Sequence, residues 1–168
     1  MRGLSLAQAL SVIEGTFAAA KKHDCHPLAA IVLDAGGRVK AFHKQDGASL
    51  MRFEIAYGKA FAALSLGRSS RMVLQKAKEK PLFVQSMEQI ADGPLFLEAG
   101  GQLIRDGHGE IMGAIGVTGD VNEMDDICAI AGIRSAGLRA DDDFDAKAQR
   151  RLNIKKNPPL KDPRRQKK

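Results

Sequence analysis

The sequence predicts an α+β fold, an antiparallel sheet with helices packed on it. Hairpin signals stand on both sides of a helical block: 28-LAAIVLDAGGRVKAFHK-44 before it and 95-LFLEAGGQLIRDGHGEIMGAIGVT-118 after it. Regular strand–helix alternation, which a doubly wound parallel sheet requires, is missing.

Each element follows from local pattern. Ser5 with Gln8 three residues on is a capping box, and it opens a helix to about Lys22 whose apolar residues Leu6, Leu10, Ile13, Phe17 and Ala20 recur at helical spacing. The breaker His23-Asp24-Cys25-His26-Pro27 ends it. Residues 28–34 are a continuous apolar run too short for a helix, which reads as a buried strand. Ala35-Gly36-Gly37 turns the chain, and 38-RVKAFHK-44 returns with alternating character. Asp46-Gly47-Ala48-Ser49 is a loop, and Leu50–Leu66 repeats apolar residues at three and four, with Gly67 as its C-terminal stop. Ser69 or Ser70 caps a short helix through Lys78, and Pro81 starts another over residues 81–90. In 95–105 a strand is interrupted by Gly100-Gly101. Asp106-Gly107-His108-Gly109 is a hairpin turn, residues 110–118 form a strand, and residues 122–138 form the last helix. No internal repeat is visible.

The 168 residues suit one domain over residues 1–140 with a tail over 141–168. Of 26 basic and 20 acidic side chains, 10 and 5 lie in the tail, leaving 16 and 15 in the body. The high isoelectric point therefore belongs to the tail, and the near-neutral body argues against a nucleic-acid footprint. The tail starts with four acids in five residues and ends basic, with Pro158, Pro159 and Pro163 opposing a helix. It reads as a flexible extension. No run reaches the roughly 18 apolar residues of a membrane span. Glu14 and Gln8 interrupt the Ala/Leu-rich start, so an amphipathic helix fits it better than a cleaved leader, and a cytoplasmic location is expected. Cys25 and Cys128 show no metal-ligand spacing. A disulfide between them is open to the sequence, but two reduced thiols are the expectation.

The run 109-GEIMGAIGVTGDVNEMDD-126 carries four glycines and then a crowd of acids. It lacks the Gly-Lys-Ser/Thr ending of a phosphate loop. Gly113 and Gly116 are three apart and face opposite sides of a pleated strand. Either helices press close to the sheet there, or a flat ligand lies on bare backbone.

Several segments, in order, resemble the GlcG/HbpS family, also called the heme-degrading-domain family and related to the C-terminal domain of PduO-type proteins. Residues 112-MGAIGVTGDVNEMDD-126 are similar to its G-A-I-G-V-S-G signature and the E-Q-D-E that follows, with Thr118 for the usual Ser and Met124 for the usual Gln. Residues 31-IVLDAGGRVKAF-42 resemble its V-V-D-x-x-G-x-L hairpin, Asp46-Gly47-Ala48 its D-G-A loop, and 59-KAFAAL-64 its K-A-x-T-A helix. Residues 100-GGQLIRDGHGEIMG-113 resemble its G-G-x-P-I hairpin, with Leu103 for the usual Pro. The resemblance covers about residues 4–139. It implies a profilin-like or PAS-like domain with a five-stranded antiparallel sheet. It further implies self-association into dimers and larger assemblies, often octamers, and a small-molecule partner. For some members that ligand is heme.

The candidate ligand-binding residues are Lys59, His43, Gly113, Gly116, Thr118 and Asp125. Lys59 stands mid-helix among apolar residues, where an ammonium needs a partner or water. It either holds an anionic ligand group or snorkels to the surface. Thr118-Gly119-Asp120 lies at a helix start suited to an anion, yet Asp120, Glu123, Asp125 and Asp126 would repel one. Asp125 reads as a structural acceptor, with metal binding as the rival. His43 ends a strand and is either an axial heme ligand or a surface residue. His23 and His26 flank Cys25 and are the metal candidates, against a solvated loop. His108 sits in an exposed turn, and Cys128 reads as core. Three functions stay open: a heme- or tetrapyrrole-binding oligomer with its pocket between the glycine strand and the Lys59 helix, an enzyme on a small carboxylate using Lys59 with His43 or Asp125, and an interaction protein using its basic tail.

Overall fold

The computed structural model describes residues 3–144. Helix α1 (Leu6–Lys22) is followed by strands β1 (Ala29–Asp34) and β2 (Val39–Lys44). Helices α2 (Arg52–Leu66), α3 (Ser70–Glu79) and α4 (Pro81–Ile90) come next. Strands β3 (Gly101–Arg105) and β4 (Ile111–Thr118) and helix α5 (Asn122–Ser135) complete the series. The strands form a four-stranded antiparallel sheet in the order β2-β1-β4-β3. The capping box at Ser5 is present in both directions, at 3.1 and 3.0 Å.

The sheet separates two apolar layers. Ala30, Val32, Ile104, Ile115 and Val117 face α1 and α5. Ile31, Leu33, Leu103 and Ala114 face α2. A central strand covered on both faces has no polar side to show, which is why β1 reads as an unbroken apolar run. Edge strand β2 keeps Val39, Lys40, His43 and Lys44 exposed. Its turn is held by the Asp34 carboxylate, which accepts from the Gly36 and Arg38 amides at 2.9 and 3.0 Å.

The sheet has four strands where the family resemblance implies five. The strand expected ahead of Gly100 does not form, because the Phe96 amide donates to the Gly58 carbonyl of α2 at 3.2 Å instead of to a neighbouring strand. The acidic start of the tail also differs from expectation. Residues 141–143 form a 3-10 turn on the body, with Asp141 paired to Arg105 and Asp143 to Arg134. The basic remainder lies outside the described residues.

Two close approaches decide how the layers meet. A Cβ on Gly116 would lie 1.9 Å from the Ala56 carbonyl oxygen, and one on Gly101 would lie 2.2 Å from that of Lys59. Gly116 and Gly101 are register partners on adjacent strands. Helix α2 thus rests its backbone on a bare patch of sheet. On the other face, a Cβ on Gly132 of α5 would lie 2.4 Å from the Val12 carbonyl oxygen of α1. Gly116→Ala is expected to cost about 2–3 kcal/mol in urea unfolding, because α2 must lift off the sheet. Gly107→Ala, in a turn with open space at the Cβ position, should change stability by less than about 0.5 kcal/mol.

Candidate functional site

Where β4 ends and α5 begins, four buried polar residues meet. The Lys59 side chain is 1% exposed, and its Nζ donates to Asp125 Oδ2 at 2.8 Å and to the Val117 carbonyl at 3.2 Å. Asp125, also 1% exposed, accepts from the Asp120 amide through Oδ1 at 3.2 Å. Lys59 lies on the α2 side and Asp125 on α5, so the pair ties the two helical layers around the end of the sheet. Burial pushes the Asp125 carboxyl above its ordinary pKa, and the Lys59 ammonium and the Asp120 amide pull back only part of that rise. The next acid, Asp126, accepts from the Gly100 amide at 2.7 Å and from Gln102 Nε2 at 2.8 Å. Thr118 is buried and accepts from Arg52 Nη1 at 2.9 Å.

This geometry corrects the pocket expected between β4 and α2. Gly116 sits under the Ala56 carbonyl in direct contact, so the helix fills the space a planar ligand would need. Gly113 faces the other way, and a Cβ there would meet the Leu33 carbonyl oxygen of the neighbouring strand at 2.1 Å. Lys59 neither snorkels nor offers its charge to a ligand. The small-carboxylate reading needs this ammonium, which is here paired with Asp125. Thr118 and Asp125 are likewise committed to internal bonds.

The histidines lie elsewhere. His23, His43 and His108 are exposed. His26 is exposed too, but it has a partner: its backbone amide and its Nδ1 both lie against Asp120 Oδ2, at 2.7 and 3.1 Å. The Val121 amide, then the His26 amide and ring, hold the Asp120 carboxyl below the usual carboxylate range. A carboxylate against Nδ1 orients the ring, an arrangement common for metal-ligating histidines. Among the described residues no cluster of three or more His, Cys, Asp or Glu is placed to hold a metal ion.

Beside His26 opens a cleft of about 770 Å³ that the sequence does not announce. The C-terminal half of α1 supplies Phe17, Ala18, Ala20 and Lys21. The following loop adds Asp24, Cys25 and Pro27, and the end of β2 adds Lys44 together with Gln45 and Asp46. His43 immediately precedes this last wall. The loop is set by the way α1 stops: Asp24 takes a left-handed φ of 53°, and the Cys25 amide reaches back to the Ala20 carbonyl at 3.0 Å. That six-residue closure is a Schellman stop with Asp where Gly is usual. No described helix is long and apolar enough to cross a membrane.

A family model described as "Haem degrading protein HbpS-like" matches residues 4–134. The fold is similar to a structure described as a PduOC:heme complex, with TM-score 0.70 and 20% identity over 81% of this chain and 96% of that one. It is similar to the Klebsiella pneumoniae protein ORFY, with TM-score 0.70 and 20% identity over 79% and 90% of the two chains. A double mutant of Streptomyces reticuli HbpS gives TM-score 0.69 and 27% identity over 80% and 87%. No curated protein sequence matches the chain.

Removing one member of the buried pair isolates a charge. Lys59→Met is expected to destabilise the protein by about 3–5 kcal/mol near pH 7, and Lys59→Met combined with Asp125→Leu should recover most of that in chemical denaturation. Without the ammonium, the folded pKa of Asp125 stands further above its unfolded value. The single variant's stability should therefore be highest below the unfolded carboxyl pKa and fall as pH rises above it toward the raised folded pKa.

Proposed function

The chain belongs to the HbpS-like family, and on that premise we propose that it is a self-associating protein that binds heme or a related tetrapyrrole in the cleft at the end of α1. The observation that carries this reading is the cleft itself. Its volume of about 770 Å³ lies in the range of roughly 300–1,000 Å³ that small-molecule sites occupy. Phe17, Ala18, Ala20 and Pro27 offer apolar wall to a flat macrocycle, and Lys21 and Lys44 offer ammonium groups to its carboxylates. Asp24 and Asp46 offset those cations. His26, between the lining residues Cys25 and Pro27 in sequence, is the histidine this reading assigns as the nitrogen donor, with Asp120 against its Nδ1. When bound, heme supplies an iron centre open to redox and oxygen chemistry; this chain's residues hold and orient it. The heme-bound structural relative supports the ligand class.

Self-association draws support from apolar side chains with nothing over them. Leu82 and Ile90 of α4 are 76% and 85% exposed, and Leu50 before α2 is 85% exposed. Among the described elements α4 packs on α3, which leaves Leu82 and Ile90 uncovered and available to a second copy. Leu82→Glu with Ile90→Glu should move the protein to a smaller species in light-scattering chromatography.

Titration of the full chain with hemin should give a saturable Soret change at micromolar protein. His26→Ala should weaken binding about tenfold or more and alter the bound spectrum, whereas His43→Ala should leave both unchanged. A flat titration would remove the tetrapyrrole reading, and equal loss in the two variants would remove His26 as the donor.

A further inference from the structure

The Sγ atoms of Cys25 and Cys128 stand 4.0 Å apart across 103 positions of sequence, and we infer that they form a redox-active dithiol that closes to an intramolecular disulfide by exchange with a low-molecular-weight disulfide entering through the cleft. The two sulfurs have unequal surroundings. Cys128 is fully buried on α5 among the residues of the α1–α5 layer. Cys25 is half-buried and lines the cleft. A reagent in the cleft therefore meets Cys25 first, and Cys128 is reachable only from Cys25. Closing the gap to a bond length of about 2.05 Å asks for movement at Cys25, which belongs to the loop after α1 and not to a helix. Cys128, held inside α5, need not move.

The exchange balances in two steps. The Cys25 thiolate attacks one sulfur of the small disulfide, forming a mixed disulfide and releasing one thiolate. Cys128 gives its proton to solvent, and its sulfur attacks Cys25 Sγ, expelling the second thiolate. The two protein thiols are oxidised, and the small disulfide is reduced to two thiols. Local chemistry sets the rate and the direction. Burial pushes the Cys25 thiol up, with Asp120, Asp125 and Asp24 adding to the rise. Burial pushes Cys128 up to about 12. Thiolate is the attacking species, so closure is slow near neutral pH and quickens with alkalinity. The same groups are poor leaving thiolates, so the closed form resists reduction once made.

The test uses tetrapyrrole-free full-length protein and oxidised glutathione, which separates its outcome from the nature of the cleft's ligand. Thiol titration in denaturant should fall from two groups to none. Intact mass should fall by two hydrogens, and a peptide map should join Cys25 to Cys128. The rate should rise about tenfold per pH unit below the thiol pKa values, and Tm should rise by about 5 °C, since the bond closes a long loop. Cys128→Ser, with Cys128→Ala as its check, should trap glutathione on Cys25, while Cys25→Ser should stay unmodified in the native state. Retention of both thiols at alkaline pH, a lasting glutathione adduct on the unmutated protein, or links formed between chains would each overturn the inference.

Discussion

The Lys59–Asp125 ion pair is the constraint around which the fold is arranged. Helices α2 and α5 lie on opposite faces of the sheet, so side chains from them can meet only around its end. Lys59 reaches that end because Gly101 and Gly116 let α2 sit against the strands. Its ammonium then finds three stations at once: the last carbonyl before Thr118, the Asp125 carboxylate, and the empty Cα side of Gly100, where a Cβ would come within 3.2 Å of Nζ. Two charges at 1% exposure carry a desolvation cost that attraction offsets only with good geometry and further hydrogen bonds. The contribution of such a pair lies as much in fixing one arrangement of the layers as in net stability. Asp126 extends the device, holding the start of β3 through the Gly100 amide and Gln102. Two successive acids on one helix thereby set the positions of α2 and β3.

That arrangement explains why the glycine-rich strand is not a ligand surface. Removing side chains from a sheet can open a cavity or admit a helix. Alanines at positions 56, 60 and 63 keep the facing side of α2 thin, so the helix descends until backbone meets backbone. The cores on both faces are built this way, with Gly132 performing the same task between α5 and α1. A chain with few rings and many small residues packs densely where its elements cross, and it leaves space where they diverge.

Much of the fold was legible. Hairpins at Gly36-Gly37 and Asp106–Gly109, the Ser5 cap and the helical spacing of α2 are local signals, and local signals can be read from short windows. The missing fifth strand was not legible, because Phe96 chooses between a strand and a helix carbonyl that lies 38 positions away. The site was read unevenly. A mid-helix lysine among alanines announced that Lys59 needs a partner, and the crowd of acids at 120–126 announced that it would not be a phosphate. That the two signals answer each other required the fold. Lys21, Lys44 and Phe17 carry no motif. They become a cleft only through the angle at which α1 leaves the sheet.

The cleft lies where the packing rules above stop applying. Helix α1 crosses α5 closely at Gly15 and Gly132, and beyond that crossing its C-terminal half runs out over the end of β2 without a glycine seam to draw it down. The Schellman stop at Asp24 then turns the chain back toward β1 and leaves Cys25 between the open space and the sealed layer of Cys128. Rigid contact on one side and open wall on the other is the condition under which a ligand can enter without disturbing the core. The same boundary makes one thiol reachable and the other protected. The cleft and the reachable thiol therefore share a location for a single mechanical reason: it is the margin of the α1–α5 interface, where backbone contact gives way to side chains.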